Sequence, residues 1–154
     1  MASVQIRANG LKALQQRLKQ ARDNLQIALE IKLLHLGEEA VTHAKLHKGY
    51  KDRTANMKNS ISFALYCDGK PVTMEAGKVN SAEAQAEVDS NLQAYAQAHV
   101  EPKGYTLIVV AGMNYGWYVE DKGYNVLHLT RYFLQDELKK IVLETIEDVK
   151  NGNV

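Results

Sequence analysis

The sequence has a single cysteine, Cys67, which rules out an internal disulfide and any multi-thiolate metal site and fits a reducing compartment. It has almost no net charge. Nineteen Lys and Arg against 18 Asp and Glu leave +1, so bulk electrostatics draws it neither to nucleic acid nor to a membrane surface. No apolar run is long enough to span a bilayer, and the N-terminus has no charged-then-apolar signal pattern. The chain is therefore expected to be made in cytoplasm. Internal repeats and low-complexity linkers are missing too. What remains is 154 residues of ordinary composition, 45% apolar and 24% charged. That suits one domain over residues 1–154 with a buried core.

Proline is absent from Leu11 to His47, and there the apolar residues keep helical spacing. Leu11, Leu14, Leu18, Ala21, Leu25 and Ala28 step by three and four, and Leu29, Leu33, Leu36, Ala40, Val41 and Ala44 continue the stripe. This predicts one long helix over 11–47, with Gly37 marking a bend or a close contact. Its first half is as well suited to a partner as to the chain's own core. Ahead of it, Val4–Arg7 alternates as a short strand would, and Asn9-Gly10 is expected to break the chain.

Beyond the helix, "KGYKDRTANMK" is polar and turn-like, with Thr54 the candidate cap of a short helix over 55–60. Ile61–Tyr66 alternates, which predicts a strand with Ile61, Phe63 and Leu65 on one face. Asp68-Gly69 predicts a tight hairpin turn, and "VTMEAGKV" the returning strand. Residues 81–97, rich in Ala, Gln and Glu, predict a helix capped by Ser81, with Glu83 in its first turn. Only Val88, Leu92 and Tyr95 give it bulk, so it is expected on the surface. Tyr105–Ala111 is the strongest strand. Over 130–149, Phe133, Leu134, Leu138, Ile141, Val142, Thr145, Ile146 and Val149 share a helical stripe that Gly152 ends. The fold class is α+β: a small antiparallel sheet packed with a long N-terminal helix and a C-terminal amphipathic helix.

A search for chemistry finds little. No strand leads into a Gly-rich phosphate loop. His43 and His47 are four apart on a helix, but a zinc site needs a third ligand, and a protease helix needs Glu where Ala44 stands. Cys67 has no partner thiol nearby and reads as a half-buried strand-end residue. Glu120 and Asp121 are adjacent, so on a strand they would point to opposite faces, a poor acid–base pair. A hydrolase around Glu120, Asp121 and His128 would need a concave pocket. No metal and no cofactor is implied, and a non-enzymatic chain is expected.

Two segments stand out. In 45–58, Lys45, Lys48, Lys51, Arg53 and Lys58 cluster around Tyr50, opposed by Asp52 alone. Such a segment could serve a small nucleic-acid-binding module through phosphate contacts. The balanced charge elsewhere favours a solvated loop or a protein contact. In 111–127, "AGMNYGWYVEDKGYNVL", four aromatics and three glycines follow a strand. Tyr115, Trp117, Tyr118 and Tyr124 are residues that anchor interfaces, since they bury much area with little entropy loss. Trp117 and Tyr118 could equally plug the gap between sheet and helices, whereas Tyr115 and Tyr124 are expected to be partly exposed.

Three motifs in order resemble the tail-completion, or head–tail connector, family of long-tailed bacteriophages and their prophages. "NGLKALQQRLKQ" (9–20) resembles the family's Gly-Leu before a long amphipathic helix. "RTANMKNSI" (53–61) is similar to its Arg-Thr-Gly-Asn-Leu-Arg-x-Ser-Ile, departing at Ala55 and Met57. "NYGWYVEDKGYNVL" (114–127) is similar to its Tyr-Ala-x-Tyr-Val-Glu followed by Gly, with one extra residue before Gly123. Against this pattern, 81–97 resembles a helical insertion. The resemblance implies a structural virion protein at the head–tail junction or tail end. Such proteins are made as soluble monomers in the host bacterial cytoplasm and close into a homo-oligomeric ring, commonly sixfold. The implied partners are tail-tube and head-closure proteins, with passive contact to DNA in the channel and none to membrane. On this reading Tyr115, Trp117, Tyr118, Glu120 and Tyr124 form a protein interface. Lys51, Arg53, Asn56 and Lys58 sit on a loop near a partner or the channel.

Overall fold

The computed structural model describes residues 9–153, so the expected strand at Val4–Arg7 lies outside the described residues. Helix α1 runs Asn9–Leu46, roughly 57 Å at 1.5 Å per residue. Asn9-Gly10 does not break the chain but opens this helix. A short α2, Asn56–Asn59, leads into β1 (Ile61–Cys67) and β2 (Lys70–Glu75). Then come α3 (Ala82–His99), β3 (Tyr105–Ala111), α4 (Gly116–Asp121) and α5 (His128–Asn151). The chain is α+β, as its sequence predicts.

The sheet has the order β2-β1-β3, and both pairings are antiparallel. β1 and β2 join through Asp68 and Gly69, both at positive φ (49° and 76°), the backbone of a tight two-residue hairpin. Being central, β1 is buried on both faces from Ile61 to Tyr66, rather than on the single face that alternation predicts. On one side Leu65 packs with Leu33 and Leu36 of α1, flanked by Phe133, Leu134 and Ile141 of α5. On the other, Ala64 and Tyr66 pack with Leu92 and Ala96 of α3 and with Ile108. The molecule is thus three layers: α1 with α5, the sheet, and α3.

The Ala-rich helix is therefore not a surface appendage. Ala84, Val88, Leu92 and Ala96 form a buried stripe on it, while Tyr95 is exposed. Small side chains let the helix lie close to the sheet where bulky ones would hold it off. Its start is as expected, since the Ser81 hydroxyl accepts from the Ala84 N–H at 3.1 Å.

α1 and α5 run antiparallel. Lys32 reaches Asp148 (3.1 Å) and Glu144 (3.8 Å) near the end of α5, while His43 meets Thr130 near its start. Gly37 is a point of close contact. A Cβ there would lie 2.4 Å from the ring of Phe63, which is 2% exposed. Gly77, after β2, is tighter still: an added Cβ would come 2.0 Å from the Asn59 carbonyl oxygen.

A candidate interface at the aromatic turn

After β3 the chain makes one buried step, Gly112 and Met113, and turns into α4. Because this segment is helical, Glu120 and Asp121 are neighbours on a helix, not opposite faces of a strand. Glu120 has a defined task. Its Oε2 accepts from the Val126 and Leu127 N–H groups, both at 2.8 Å, and its Oε1 from the His128 N–H at 3.2 Å. A carboxylate thus satisfies the open donors ahead of α5, where the helix dipole also favours negative charge. With both oxygens engaged, Glu120 is a structural brace for the start of α5. Gly123 turns the chain at φ +81.

The aromatics point outward. Trp117 is 72% exposed, and Tyr118, Tyr124 and Tyr115 lie between 42% and 52%. Trp117 therefore does not plug the gap between sheet and helices; that space is filled by Met57, Val88, Met113 and Val126. The Trp117 and Tyr118 rings meet edge to face with centroids 6.1 Å apart, and Lys122 Nζ stands 5.2 Å from the Tyr118 ring centroid. A large, fixed, amphipathic surface of this kind suits a protein partner.

The basic segment lies beside this turn. The Gly49 N–H donates to the Asn125 carbonyl at 2.9 Å, tying the end of α1 to the end of the aromatic turn. Tyr50, Arg53, Met57, Tyr115 and Val119 line one cleft of about 320 Å³. Tyr50 leans into the core there. Its hydroxyl is buried without a partner, and burial, helped by the Asp52 carboxylate and Tyr115, pushes its pKa up to about 12. Burial, then the Glu87 and Asp52 carboxylates, also raises the Tyr115 hydroxyl above its ordinary range. Both phenols therefore stay neutral.

The remaining residues of the basic segment divide by what they touch. Lys48 is paired with Asp52 at 2.7 Å. Asn56 accepts from the Asn80 N–H at 3.2 Å, and Asn80 Nδ2 donates to the Thr54 carbonyl at 2.7 Å, so Asn56 fastens the loop to the start of α3. Lys58 is half-buried beside Lys45, whose pKa is lowered by burial and by Lys58. Lys51 and Arg53 are exposed and join no ion pair among the described residues. The structure thus brings Arg53 and Tyr115 to one cleft. Trp117 lies apart, in a second groove of about 380 Å³ with Tyr95, Val110 and Arg131. In the sequence Tyr95 reads only as bulk on its own helix and Arg131 carries no signal, so neither points to this groove.

The two histidines are occupied structurally. Their rings stack at 4.1 Å, His43 Nδ1 sits 3.1 Å from the Thr130 hydroxyl, and His47 Nδ1 donates to the His43 carbonyl at 2.9 Å. No group of three or more His, Cys, Asp and Glu with metal-binding geometry occurs among the described residues. No described helix is long and apolar enough to cross a membrane. Comparisons with protein-family models, with curated proteins and with solved structures each return no match.

Proposed function

We propose that the chain is a non-catalytic structural protein of a long-tailed phage or prophage virion. It acts at the head–tail junction or tail end as one subunit of a ring and meets tail-tube and head-closure proteins there. The observation that carries the reading is the convergence of two of the three family-like motifs. Residues 53–61 and 114–127 are far apart in sequence, yet Arg53 and Met57 of the first and Tyr115 and Val119 of the second line one cleft, with Tyr115 partly exposed at it. Aromatic exposure of this extent beside unpaired cations is the anatomy of a protein interface. A ring requires heterologous contacts, one patch meeting a different patch on the neighbour, and this surface would be one of them.

The test is genetic and structural together. The virus or lysogen encoding the chain is deprived of it and complemented with wild type or with the double variant Trp117→Ala, Tyr118→Ala. Without the chain, heads and tails should accumulate unjoined, and the double variant, folded as wild type, should restore less than about a hundredth of the titre. Full infectivity without the chain would end the virion reading. Full complementation by the variant would remove the aromatic turn from the interface.

A further inference from the structure

The apolar stripe of α1 does not stop where the body of the molecule stops. Leu33, Leu36, Ala40 and Ala44 are buried. The same three-and-four spacing runs back through Leu25, Leu18, Leu14 and Leu11, yet every residue from Gly10 to Arg22 is exposed, Leu18 at 62%. An isolated helix of this length is marginal in water, and an apolar stripe along it asks for cover.

A second uncovered face lies on α5. That helix turns Phe133, Leu134 and Ile141 toward α1 and the sheet. Leu138, Val142, Ile146 and Val149, spaced four, four and three, form an adjacent stripe that is about half exposed throughout. A shallow depression of about 700 Å³ centres on Leu138 and Val142. The two stripes are comparable in length, about 21 Å from Leu11 to Leu25 and about 17 Å from Leu138 to Val149 at 1.5 Å per residue.

Charge tells what covers them. Between Gly10 and Leu25 the arm carries Lys12, Arg17, Lys19 and Arg22 against one carboxylate, Asp23, which pairs with Arg22. Between Asp136 and Val149, α5 carries five carboxylates against Lys139 and Lys140, which pair with Asp136 and Glu137, so the segment stays net negative. Within one molecule the same chemistry is already used, because Lys32 of α1 bridges to Glu144 and Asp148. The arm cannot reach its own α5. α1 is one continuous helix, and the last turns of α5 lie beside Lys32, so the arm points away beyond them.

We propose that the arm, residues 10–25 of α1, docks on the Leu138–Val149 face of α5 in a second copy of the chain. The contact is head-to-tail, leaves an arm and a face open at either end, and so propagates until a ring closes. This names the joint of the ring reading and rests on that reading.

The test uses the full chain and two variants: an arm variant, Leu14→Glu with Leu18→Glu, and a face variant, Val142→Lys with Ile146→Lys. All four side chains are exposed, so circular dichroism and melting should match wild type. Mass is followed across concentration, with and without tail-tube protein. Each variant alone should self-associate at least about a hundredfold more weakly than wild type. Mixed in equal amounts, they should form a one-to-one dimer that grows no further, since one contributes an intact face and the other an intact arm. The proposal is overturned if either variant assembles as wild type, or if the mixture stays monomeric. It also falls if only the arm variant is impaired, which would mean that arms pair with arms or bind another protein. A wild-type chain that stays monomeric under all conditions overturns both the joint and the ring. If the variants lose association while complemented virions join heads to tails normally, the joint stands and the virion reading falls.

Discussion

Ala55 holds φ at 61°, a left-handed conformation that costs an ordinary L-residue about 1 kcal/mol or more. It stands where the resembled family has Gly, so the turn persists here at the expense of strain. The hydrogen bonds around it explain why. The Asn59 N–H donates to the Ala55 carbonyl at 2.9 Å, and Asn56 is tied to Asn80, which together fix the turn before β1. Ala55→Gly relieves the strain but gives the unfolded chain more freedom, worth roughly 0.4–1 kcal/mol in the opposite direction. The expected net effect is a gain of about 0.5–1 kcal/mol, read as a higher urea midpoint at unchanged slope. An unchanged or lower midpoint would mean that the strain is absent. Propensity alone could not reveal this residue, because Ala is a good helix former and its left-handed turn is imposed by neighbours on other segments.

Elements were legible in proportion to how far local pattern fixed them. α1, β1, β3 and α5 follow from period and β-branching, and the Ser81 cap and the Asp68-Gly69 turn from side-chain chemistry. α4 was not legible: six residues opening at Gly116 carry no periodic signal, and its brace, Glu120, acts on the N–H groups of the next helix. The burial of α3 was hidden because Ala shows little bulk in sequence yet allows close packing. That the α5 stripe is only part-buried was hidden too, since sequence shows an apolar face but not what covers it.

Where elements press hardest, Gly37 decides. Gly37→Ala gains about 1 kcal/mol of helix propensity, but it drives a methyl into the buried Phe63 ring, and overpacking costs roughly 1–3 kcal/mol. The clash should win by about 1 kcal/mol, and Phe63→Leu in the same chain should recover part of the loss. A neutral Gly37→Ala would show that α1 can slide.

The contact between α1 and α5 at His43 and Thr130 should respond to pH. Burial, then His47, lowers the His43 pKa from its ordinary 6.5. The unfolded chain therefore takes up a proton near pH 6.5 that the folded chain refuses until lower pH. Stability should fall as pH drops through 6.5, with the loss complete below the folded pKa. His43→Gln, which keeps a hydrogen-bonding side chain there but cannot titrate, should flatten that slope in denaturation followed between pH 5 and 8. An equal slope in the variant would place the titration elsewhere.

On the scale of the whole molecule, stability is unevenly placed. Residues 29–44 of α1 are clamped among the sheet and α5, whereas 10–22 touch nothing that would hold them. One helix thus contains a segment whose opening needs much of the global unfolding free energy and a segment whose opening needs little. In dilute monomer, amides of 10–22 should exchange with solvent orders of magnitude faster than those of 33–44. On assembly, protection should appear together in 10–25 and in 138–149, because docking covers both stripes at once and a helix end that gains a packed face gains cooperativity with it. Protection confined to the aromatic turn would instead mean that Tyr115–Tyr118 carry the contact between copies and leave the arm for a different protein. Protection in the arm of the dilute monomer would mean that the chain covers its own stripe, and then no second copy is needed to explain it.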